Sequence, residues 1–590
     1  MSTAPEQRAP AARAALPADE ARPRLWAARL AWPLALAGLF LGALILRLIG
    51  LRTGLPYVYN ADENSHFVPR AVGMFGHGLN PHYFVNPPAF TYLIHLLYVL
   101  RYGLDPASIG AAYAADPTGA FTIARAASAC LGAAAVPLTA IAGARLFADR
   151  RVGFIAGALL AVAFLPVHYS HFALNDAPTL APLALCLVGV AGIYRTGRLR
   201  EYLLAGAALG IAIATKYPAG IVVVSIVAAS LASEVAHPRL RNLALSLGLV
   251  VVAFLAANPY AWLDRHSFWN DGIRKQTEAA GDEGGKLGLA NTSGWWYYLT
   301  TWTWGFGWLP SIAALGGLGA LIARNRRLAI ILAPAPILLF LYLGNQSRFF
   351  ARWMLPAYPL LCLLAAYGVV ALAGRFRPRV QVPALGALVL LQGLVFSVHN
   401  DVVLARADTR MLAREWMRQH IPVGTKIVME PIAPDQWATD AGHPLFGKPP
   451  AGTGSGARWN KYSTSRSCFF NGKLRETAGT DCPVIKLEDY ERTTRPALLE
   501  SYEKGGFCWV VTGSTQYGRA YADPKTVPSA IAYYDALKRR GERVFHVSPY
   551  GDAKPGFSFD FSFNYYPLEY DHPGPEISIY KLPACDTGAQ

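Results

Sequence analysis

Long apolar stretches recur through the first two thirds of the chain, separated by polar connections. The first runs from Ala31 to Leu51 and, at about 20 residues, is long enough for a helix to span a bilayer. It has no small-residue cleavage site, so it predicts a retained transmembrane helix rather than a signal peptide. Further apolar runs lie at 119–144, 152–171, 177–194, 202–216, 218–233, 243–262, 298–322, 328–344, 353–373 and 381–398. The pattern predicts a polytopic α-helical membrane protein of about 11 transmembrane helices.

The connections between these runs alternate in character, which predicts their topology. One set is short and rich in arginine, and by the positive-inside rule it faces the cytoplasm. Its members are Arg145, Arg150, Arg151, Arg195, Arg198, Arg200, Arg239, Arg241, Arg324, Arg326, Arg327, Arg375, Arg377 and Arg379. The other set contains the loops 52–118 and 263–297 and everything after 398, and we expect it to face outward. Residues 1–30, rich in Ala, Pro and Arg, are expected to form a disordered cytoplasmic tail.

The composition changes after residue 400, where long apolar runs end and the chain becomes mixed. Residues 408–420 have helical spacing, and 529–540 also favour a helix. Residues 426–430, 507–512 and 577–582 are typical of strands, the second of them buried. The sequence therefore predicts a membrane domain over 31–400 and an extracytoplasmic α/β or α+β domain over 401–590.

Charge and cysteine content narrow the function. Charged residues make up 16% of the chain, against about 25% in soluble domains, which fits a membrane protein. The net charge of +16 suggests nucleic-acid binding at first, but the arginine-rich connections follow the membrane topology and the sequence has no basic stripe with interleaved aromatic residues, so no nucleic-acid partner is expected. Four of the seven cysteines lie in the last third, Cys468, Cys482, Cys508 and Cys585. They allow three disulfide pairings, and the sequence does not choose among them.

The candidate chemistry centres on the loop after the first helix, where Asp62 and Glu63 are adjacent and His66 lies one turn further on. A carboxylate at a membrane face is suited to act as a general base that accepts a proton from a nucleophile. The alternative is a capping box, with Asn60 as N-cap and Glu63 three residues later. A metal site using Asp62, Glu63 and His66 is a weaker alternative, because no His or Cys cluster accompanies them.

A second carboxylate, Asp176, lies at a helix start on the same predicted side, so it can face one cavity with Asp62. The alternative is that Asn175 or Asp176 simply caps the helix, with Pro178 in its first turn.

Few cations lie on that side. Lys216 stands at a helix break before Tyr217 and Pro218. Arg348 and Arg352 are four residues apart, where a shared helical face would make them repel each other unless an anion such as a lipid phosphate lies between them. Snorkelling to the interface is the alternative for this pair. Arg47, inside the first apolar run, is a further site candidate because a charge in lipid is costly.

Together these segments resemble a known family. The order LILRLIGL, ADENSHF, NPPAFTYL, HFALNDAPTL, LLAGAALGIAIATKYP and RFFARWMLPAYP is similar to that of C-type membrane glycosyltransferases of the protein O-mannosyltransferase and aminoarabinose transferase group. The resemblance covers about residues 30–400, and the adjacent acidic pair is its most specific part. Such enzymes transfer a sugar, with inversion, from a polyprenyl phosphate to a lipid, glycan or protein acceptor on the outer face of the cytoplasmic membrane.

The resemblance implies roles for individual residues. Asp62 would be the general base, Glu63 would position the loop or an acceptor group, and Asp176 would be a second acid of the cavity. Lys216, Arg348, Arg352 and, as a further candidate, Arg47 would hold the donor phosphate, while His66, Asn86 and Tyr217 would line the substrate cavity. Asn86 departs from the family, where lysine or histidine is frequent near this proline pair, so the donor sugar stays open.

The resemblance implies no metal or other cofactor. The arginine-rich connections predict a multi-pass protein with the N-terminus inside and the C-terminal domain outside, and the Ala- and Arg-rich composition suggests a bacterial inner membrane. Two other classes of function are compatible with the sequence, a transporter or flippase of lipid-linked glycans and a glycan-binding membrane scaffold. A transporter is expected to show repeats, and no repeat is evident in the sequence.

Overall fold

The computed structural model describes residues 18–60, 62–275, 287, 293–375, 378–432, 435–438, 458–462, 469–470, 473–474, 490–553, 555–556 and 568–583. The part before residue 405 is almost entirely helical. Its longer helices are Ala18–Leu48, Val68–His77, Ala89–Tyr102, Pro106–Ala115, Thr118–Phe147, Arg150–Val162, Phe164–Ser170, Leu180–Thr196, Leu199–Thr215, Val223–Ala232, Arg239–Ala257, Gly294–Trp302, Trp308–Arg324, Arg326–Leu332, Pro334–Gly344, Tyr358–Ala373 and Pro378–Leu404. The first helix begins at Ala18, inside the stretch that was expected to be a disordered tail.

Within the described residues, six helices are long and apolar enough to cross a membrane, or up to eight if two bent pairs each form one span. The predicted number of about 11 is therefore not confirmed. The bends explain part of the difference, since Arg150–Val162 and Phe164–Ser170 meet at 55°, and Arg326–Leu332 and Pro334–Gly344 at 41°. Several apolar runs thus form broken or short helices rather than straight spans. The chain is a multi-pass membrane protein.

Small residues let the central helices approach each other closely. A side chain at Gly153 would place its Cβ 2.3 Å from the carbonyl oxygen of Ala140, a distance at which no side chain fits. This glycine lets the helix Arg150–Val162 lie directly against Thr118–Phe147. Packing of this kind is how membrane helices associate, because lipid supplies no hydrophobic drive between them.

The C-terminal part contains a small mixed sheet. Its strands are β1 (Lys426–Met429), β2 (Asn460–Lys461), β5 (Trp509–Gly513), β6 (Glu542–Val547) and β7 (Ile577–Lys581), and a separate pair is formed by β3 (Phe469–Phe470) and β4 (Lys473–Leu474). The order is β2-β1-β5-β7-β6, in which β1 pairs in parallel with β2 and β5 while β7 runs antiparallel to β5 and β6. The helices are Thr409–His420, Tyr490–Thr493, Ala497–Gly505, Ser514–Ala522 and Pro528–Arg540. The helices predicted at 408–420 and 529–540 and the strands predicted at 426–430, 507–512 and 577–582 are present, whereas β6 and the helices Ala497–Gly505 and Ser514–Ala522 were not predicted.

Apolar side chains from both faces bury this sheet. Ile427 and Val511 pack with helix Thr409–His420 on one face, and Val428 and Val510 pack with helix Pro528–Arg540 on the other. Cys508, just before β5, is disulfide-bonded. The other three cysteines considered for pairing, Cys468, Cys482 and Cys585, lie outside the described residues, so the choice of pairing stays open.

Candidate active site

The loop that carries the acidic pair is organised by a cap. The side-chain oxygen of Asn60 accepts hydrogen bonds from the backbone N–H groups of Asp62, at 3.1 Å, and Glu63, at 3.2 Å. These are donors that a helix start leaves without partners inside the helix. A short π-helical turn, Glu63–Phe67, follows and leads into the helix Val68–His77. The cap predicted for Asn60 is present, and it fixes the direction in which the chain leaves Asp62.

Glu63 points away from any cavity, into the protein. Its two carboxylate oxygens accept hydrogen bonds from Arg125 at 2.6 and 2.8 Å, and one of them also accepts from the N–H of Ala173 at 2.9 Å. Arg125 donates in addition to the carbonyl oxygens of Leu51 and Thr53, both at 2.8 Å. The pair is fully buried, so Glu63 fastens the loop to the helix Thr118–Phe147 and to the segment that follows the helix Phe164–Ser170. It does not close a capping box with Asn60.

Asp62 lies on the opposite side of the same turn and is about one third exposed. Its carboxylate forms an ion pair with Arg352, which comes from a segment 290 residues later in the chain. The Nε2 atom of His66 lies 3.7 Å from the other carboxylate oxygen. Burial lowers the pKa of His66 below its ordinary value, and the nearby Arg70 and Arg352 add to that effect, although Asp62 opposes it. His66 is therefore neutral at neutral pH.

The second acidic residue is paired in the same way. The ammonium of Lys216 contacts the carboxylate of Asp176, and both residues are buried. Lys216 ends the helix Leu199–Thr215 in an extended conformation, and a short 3₁₀ segment, Tyr217–Val222, follows. Pro218 cannot continue the α-helix hydrogen bonding, so the chain unwinds at this point. The predicted break is thus present, and it places a lysine at the end of a helix beside an aspartate.

These residues line one cavity of about 630 Å³. It brings together eight of the ten residues singled out from the sequence. They are Asp62, His66, Asn86, Asp176, Lys216, Tyr217, Arg348 and Arg352. Its apolar lining includes Ile221, Phe254, Leu339 and Leu343. One cavity therefore presents carboxylates, cations and apolar side chains together.

Glu63 and Arg47 do not line it. Arg47 is buried in the helix bundle, where it donates to Ser170 Oγ and to the carbonyl oxygens of Ala43, Leu160 and Ala161 at 2.9 to 3.2 Å. The predicted phosphate-binding role of Arg47 is wrong for this reason: its guanidinium joins helices inside the bundle.

Arg348 and Arg352 lie close together, but not on one helical face as the sequence predicted. Arg352 lies in the 3₁₀ segment Ala351–Ala357 and Arg348 precedes it, so the two do not share a helical face. Instead, both guanidinium groups lie against the ring of Phe350, at 5.4 and 4.9 Å from its centroid. Two cations gathered around one ring at a cavity wall suit an anion with several oxygens, such as a phosphate.

Tyr83 forms a stacked cluster beside Asp62 that the sequence did not reveal. Its ring stacks on His66 with centroids 5.0 Å apart, and the guanidinium of Arg70 lies 3.9 Å from its centroid. Its hydroxyl accepts a hydrogen bond from Asn86 at 3.0 Å. Burial raises the pKa of Tyr83 to about 12, so the hydroxyl keeps its proton. The cluster fixes both His66 and Asn86 at the cavity wall.

A second, apolar cavity of about 700 Å³ lies beside the first. Three short segments contribute residues to both cavities. Pro87, Asp176 and Lys216 line the first cavity, and Ala89, Pro178 and Thr215 line the second. The Asp176–Lys216 pair therefore stands next to the wall between them.

Arg125 was missed from the sequence as well. It is a charged residue inside the predicted apolar run 119–144, and such a residue is a signal in itself because a charge in lipid needs a partner. Among the described residues, no group of three or more His, Cys, Asp or Glu side chains is arranged to hold a metal ion.

Part of the chain is similar in sequence to a known protein family. Residues 85–262 match the family model described as dolichyl-phosphate-mannose-protein mannosyltransferase, which confirms the resemblance inferred from the sequence. The matched segment contains Asn86, Asp176 and Lys216; it begins after Asp62 and ends before Arg352. No curated protein matches the chain by sequence comparison.

Two solved structures, each with a TM-score of 0.50, have a related fold. The Archaeoglobus fulgidus oligosaccharyltransferase in complex with zinc and sulfate matches with a TM-score of 0.50 and 15% identity, over 87% of this chain and 72% of that chain. Its apo form matches with a TM-score of 0.50 and 14% identity, over 91% and 75%. ArnT from Cupriavidus metallidurans bound to undecaprenyl phosphate matches with a TM-score of 0.49 and 14% identity, over 93% and 98%. At 15% and 14% identity, the likeness to the two Archaeoglobus fulgidus structures concerns the fold alone.

Proposed function

We propose that this chain, whose residues 85–262 match the mannosyltransferase family model, is a C-type membrane glycosyltransferase that transfers a sugar from a polyprenyl phosphate to an acceptor with inversion at the anomeric carbon. The reaction takes place at the outer face of a bacterial cytoplasmic membrane, with the N-terminus inside and the C-terminal domain outside. The acceptor is a lipid, a glycan or a protein that offers a hydroxyl or amine.

The observation that carries this proposal is the pairing of acids with cations around one cavity. Arg348 and Arg352 converge beside Asp62, and Lys216 lies beside Asp176. A lipid-linked sugar has one phosphodiester charge, an uncharged sugar and a long apolar chain. The cations match the phosphate, and the lining side chains Ile221, Leu339 and Leu343 match the first part of the chain. The name of the matched family points to the same class of donor.

In the proposed step, the acceptor oxygen or nitrogen attacks the anomeric carbon from the side opposite the phosphate. The bond between that carbon and the phosphate oxygen breaks, and its electron pair leaves with the polyprenyl phosphate. Asp62 accepts the proton of the nucleophile, while Arg348, Arg352 and Lys216 stabilise the charge that develops on the leaving phosphate. Asp176 holds Lys216 in place, and Glu63 holds the loop.

His66, Asn86 and Tyr217 face the sugar. Asn86 is fixed by Tyr83, and Tyr217 donates a hydrogen bond to the carbonyl oxygen of Phe84 at 2.9 Å. These polar groups at one wall suit recognition of sugar hydroxyls, while the choice among sugars rests on Asn86 at the position where the family varies. The phosphate charge is met by arginine and lysine, so the reaction needs no divalent metal.

The test is transfer from a panel of radiolabelled undecaprenyl-phosphate sugars to membrane acceptors by the purified full-length protein. We expect the wild type to transfer one sugar, unaffected by a chelator, and Asp62→Asn to lose activity by about 10²- to 10⁴-fold. Asp105→Asn is the matched control, because Asp105 caps an exposed helix start in the same loop and asparagine caps equally well. Equal transfer by Asp62→Asn and wild type would remove Asp62 from the mechanism.

A further inference from the structure

The C-terminal domain touches the catalytic loop shortly before Asp62. The guanidinium of Arg410 lies 3.8 Å from the ring centroid of Tyr59, and that of Arg414 lies 5.0 Å from the ring centroid of Tyr57. Both tyrosines pack against the apolar cluster that contains Ala413, and this cluster also includes residues of β1, β5 and β7. The segment before the catalytic turn is thus part of the core of the C-terminal domain.

Arg410 is itself rigidly held. Its Nε and one terminal nitrogen donate to the two carboxylate oxygens of Asp408 at 2.8 and 2.7 Å, and its other terminal nitrogen donates to the carbonyl oxygen of Ile432 at 3.3 Å. Asp408 also caps the helix Thr409–His420. Both residues are buried. A cation over an aromatic ring is attracted to it more strongly in a buried setting than at the surface, so Arg410 is a fixed support for Tyr59.

The segment that Arg410 supports is strained. Val58 has a φ of +51°, a region that a β-branched residue rarely occupies. Gly54 has a φ of +66°, and a Cβ there would come within 2.7 Å of Cδ2 of Tyr59. Backbone of this kind persists only where the surroundings hold it in place. Gly54 and Arg410 both contact the Tyr59 ring, one from the loop and one from the C-terminal domain.

The next residues along the chain lead to the proposed base. Asn60 follows Tyr59, and its side-chain oxygen accepts hydrogen bonds from the N–H groups of Asp62 and Glu63. Movement of Tyr59 therefore moves the cap, and movement of the cap turns Asp62 relative to Arg352 and the cavity. A displacement of about 1 Å of a catalytic group is enough to lower a rate strongly.

We propose that Arg410 is a positioning residue for the transfer reaction, whose guanidinium holds Tyr59 and so fixes the cap that presents Asp62 to the cavity. The proposal gives the C-terminal domain a role in catalysis without contact with the substrate. It rests on the proposed function of Asp62, but the mechanical link between Arg410 and the loop is measurable without any sugar.

The experiment uses the full-length protein in detergent and combines hydrogen exchange with kinetics. Arg410→Met removes the cation and keeps an apolar side chain of similar length, while Arg410→Lys restores a cation. Gly54→Ala disturbs Tyr59 from the loop side and changes no residue of the C-terminal domain. Arg418→Met is the matched control, because Arg418 is half exposed on the same helix and lies 3.8 Å from Glu415.

For Arg410→Met and Gly54→Ala we expect amides of residues 59–64 to exchange about tenfold faster while those of β1 and β5 keep their rates. We expect kcat to fall about tenfold or more, with no rise in the donor KM or in the Kd for undecaprenyl phosphate. Arg410→Lys should recover part of kcat, and Arg418→Met should match the wild type.

Unchanged exchange at residues 59–64 in both variants would overturn the proposal, as would faster exchange with full kcat. If Arg410→Met also loosens β1 and β5, the domain has unfolded and Gly54→Ala alone decides. If the wild type transfers no sugar while exchange responds as expected, the mechanical link stands and the proposed function is what fails.

Discussion

Arg352 and Asp62 form an ion pair, so the cation proposed for the donor phosphate and the proposed general base are each other's partner. A phosphate that binds Arg352 competes with the carboxylate for the same N–H groups. Donor binding and release of the base are therefore linked: the phosphate takes the arginine, and Asp62 becomes available to the acceptor.

This competition predicts opposite effects of two variants on binding. Asp62→Asn removes the competing charge, so undecaprenyl phosphate should bind about tenfold more tightly although transfer is lost. Arg352→Met should weaken the same binding by about tenfold or more. Titration calorimetry in detergent measures both values. Weaker binding to Asp62→Asn than to wild type would contradict the linkage, and Asp105→Asn serves as the control for a lost negative charge.

The ion pair between Lys216 and Asp176 predicts that the two residues contribute unequally to donor binding. If Lys216 holds the phosphate and Asp176 only holds Lys216, then Lys216→Met should raise the donor KM about tenfold. The double variant with Asp176→Asn should be no worse than Lys216→Met alone, because the residue that Asp176 positions is already absent. Fully additive losses in this double-mutant cycle would instead give Asp176 an independent role at the substrate.

Glu63 is predicted to act on stability rather than on chemistry. Glu63→Gln leaves the buried Arg125 without its counter-charge, which should cost about 3–5 kcal/mol and lower Tm markedly. Arg125→Met combined with Glu63→Gln should recover part of that loss. Asp149→Asn is the control, because the Asp149–Arg151 pair is more exposed and contributes about 1 kcal/mol or less. The measurement is thermal unfolding of each purified variant.

The C-terminal domain is predicted to lose stability as the pH rises. Glu430, at the end of β1, is buried and accepts hydrogen bonds from the N–H of Gly513 and the hydroxyl of Tyr534, both at 2.8 Å. Burial raises the pKa of Glu430 from 4.5 to about 8. The folded state thus keeps a proton that the unfolded state releases.

Because the folded-state pKa lies above the unfolded value, the stabilisation from Glu430 is complete below pH 4.5 and is lost as the pH rises through about 8. We expect Tm to fall between pH 5 and 8, and Glu430→Gln to flatten this dependence because glutamine stays neutral. Parallel Tm profiles for the two proteins would show that another group is responsible.

The sequence was sufficient for the parts of the site that follow from local signals. Asn60 and the acidic residues after it form a recognisable cap, and Pro218 after Lys216 marks a helix break. Both features depend on residues only a few positions apart. The C-terminal helices and strands follow from hydrophobic periodicity for the same reason.

What sequence could not supply were the long-range partners. Adjacent residues on a helical turn point in different directions, so Glu63 and Asp62 have different partners. The neighbouring sequence does not indicate that these partners are Arg125 for Glu63 and Arg352 for Asp62. For Arg47 the sequence indicated that a partner exists, because a charge inside an apolar run needs one. It did not indicate whether that partner is a ligand or the protein backbone. The predicted number of spans is not confirmed, because bent helix pairs and straight helices have similar hydropathy.

The buried ion pair between Glu63 and Arg125 bears on how a lipid reaches the cavity. Arg125 ties the loop that carries Asp62 to the carbonyl groups of Leu51 and Thr53, so the Asp62 side of the cavity is held in place. The segment Phe268–Arg274 also contributes to the cavity lining, and Phe268 makes edge contacts with the rings of Phe84 and Tyr217. Edge contacts between rings cost less to separate than a buried ion pair, so we expect an entering lipid to displace the aromatic side of the cavity more readily than the Asp62 side.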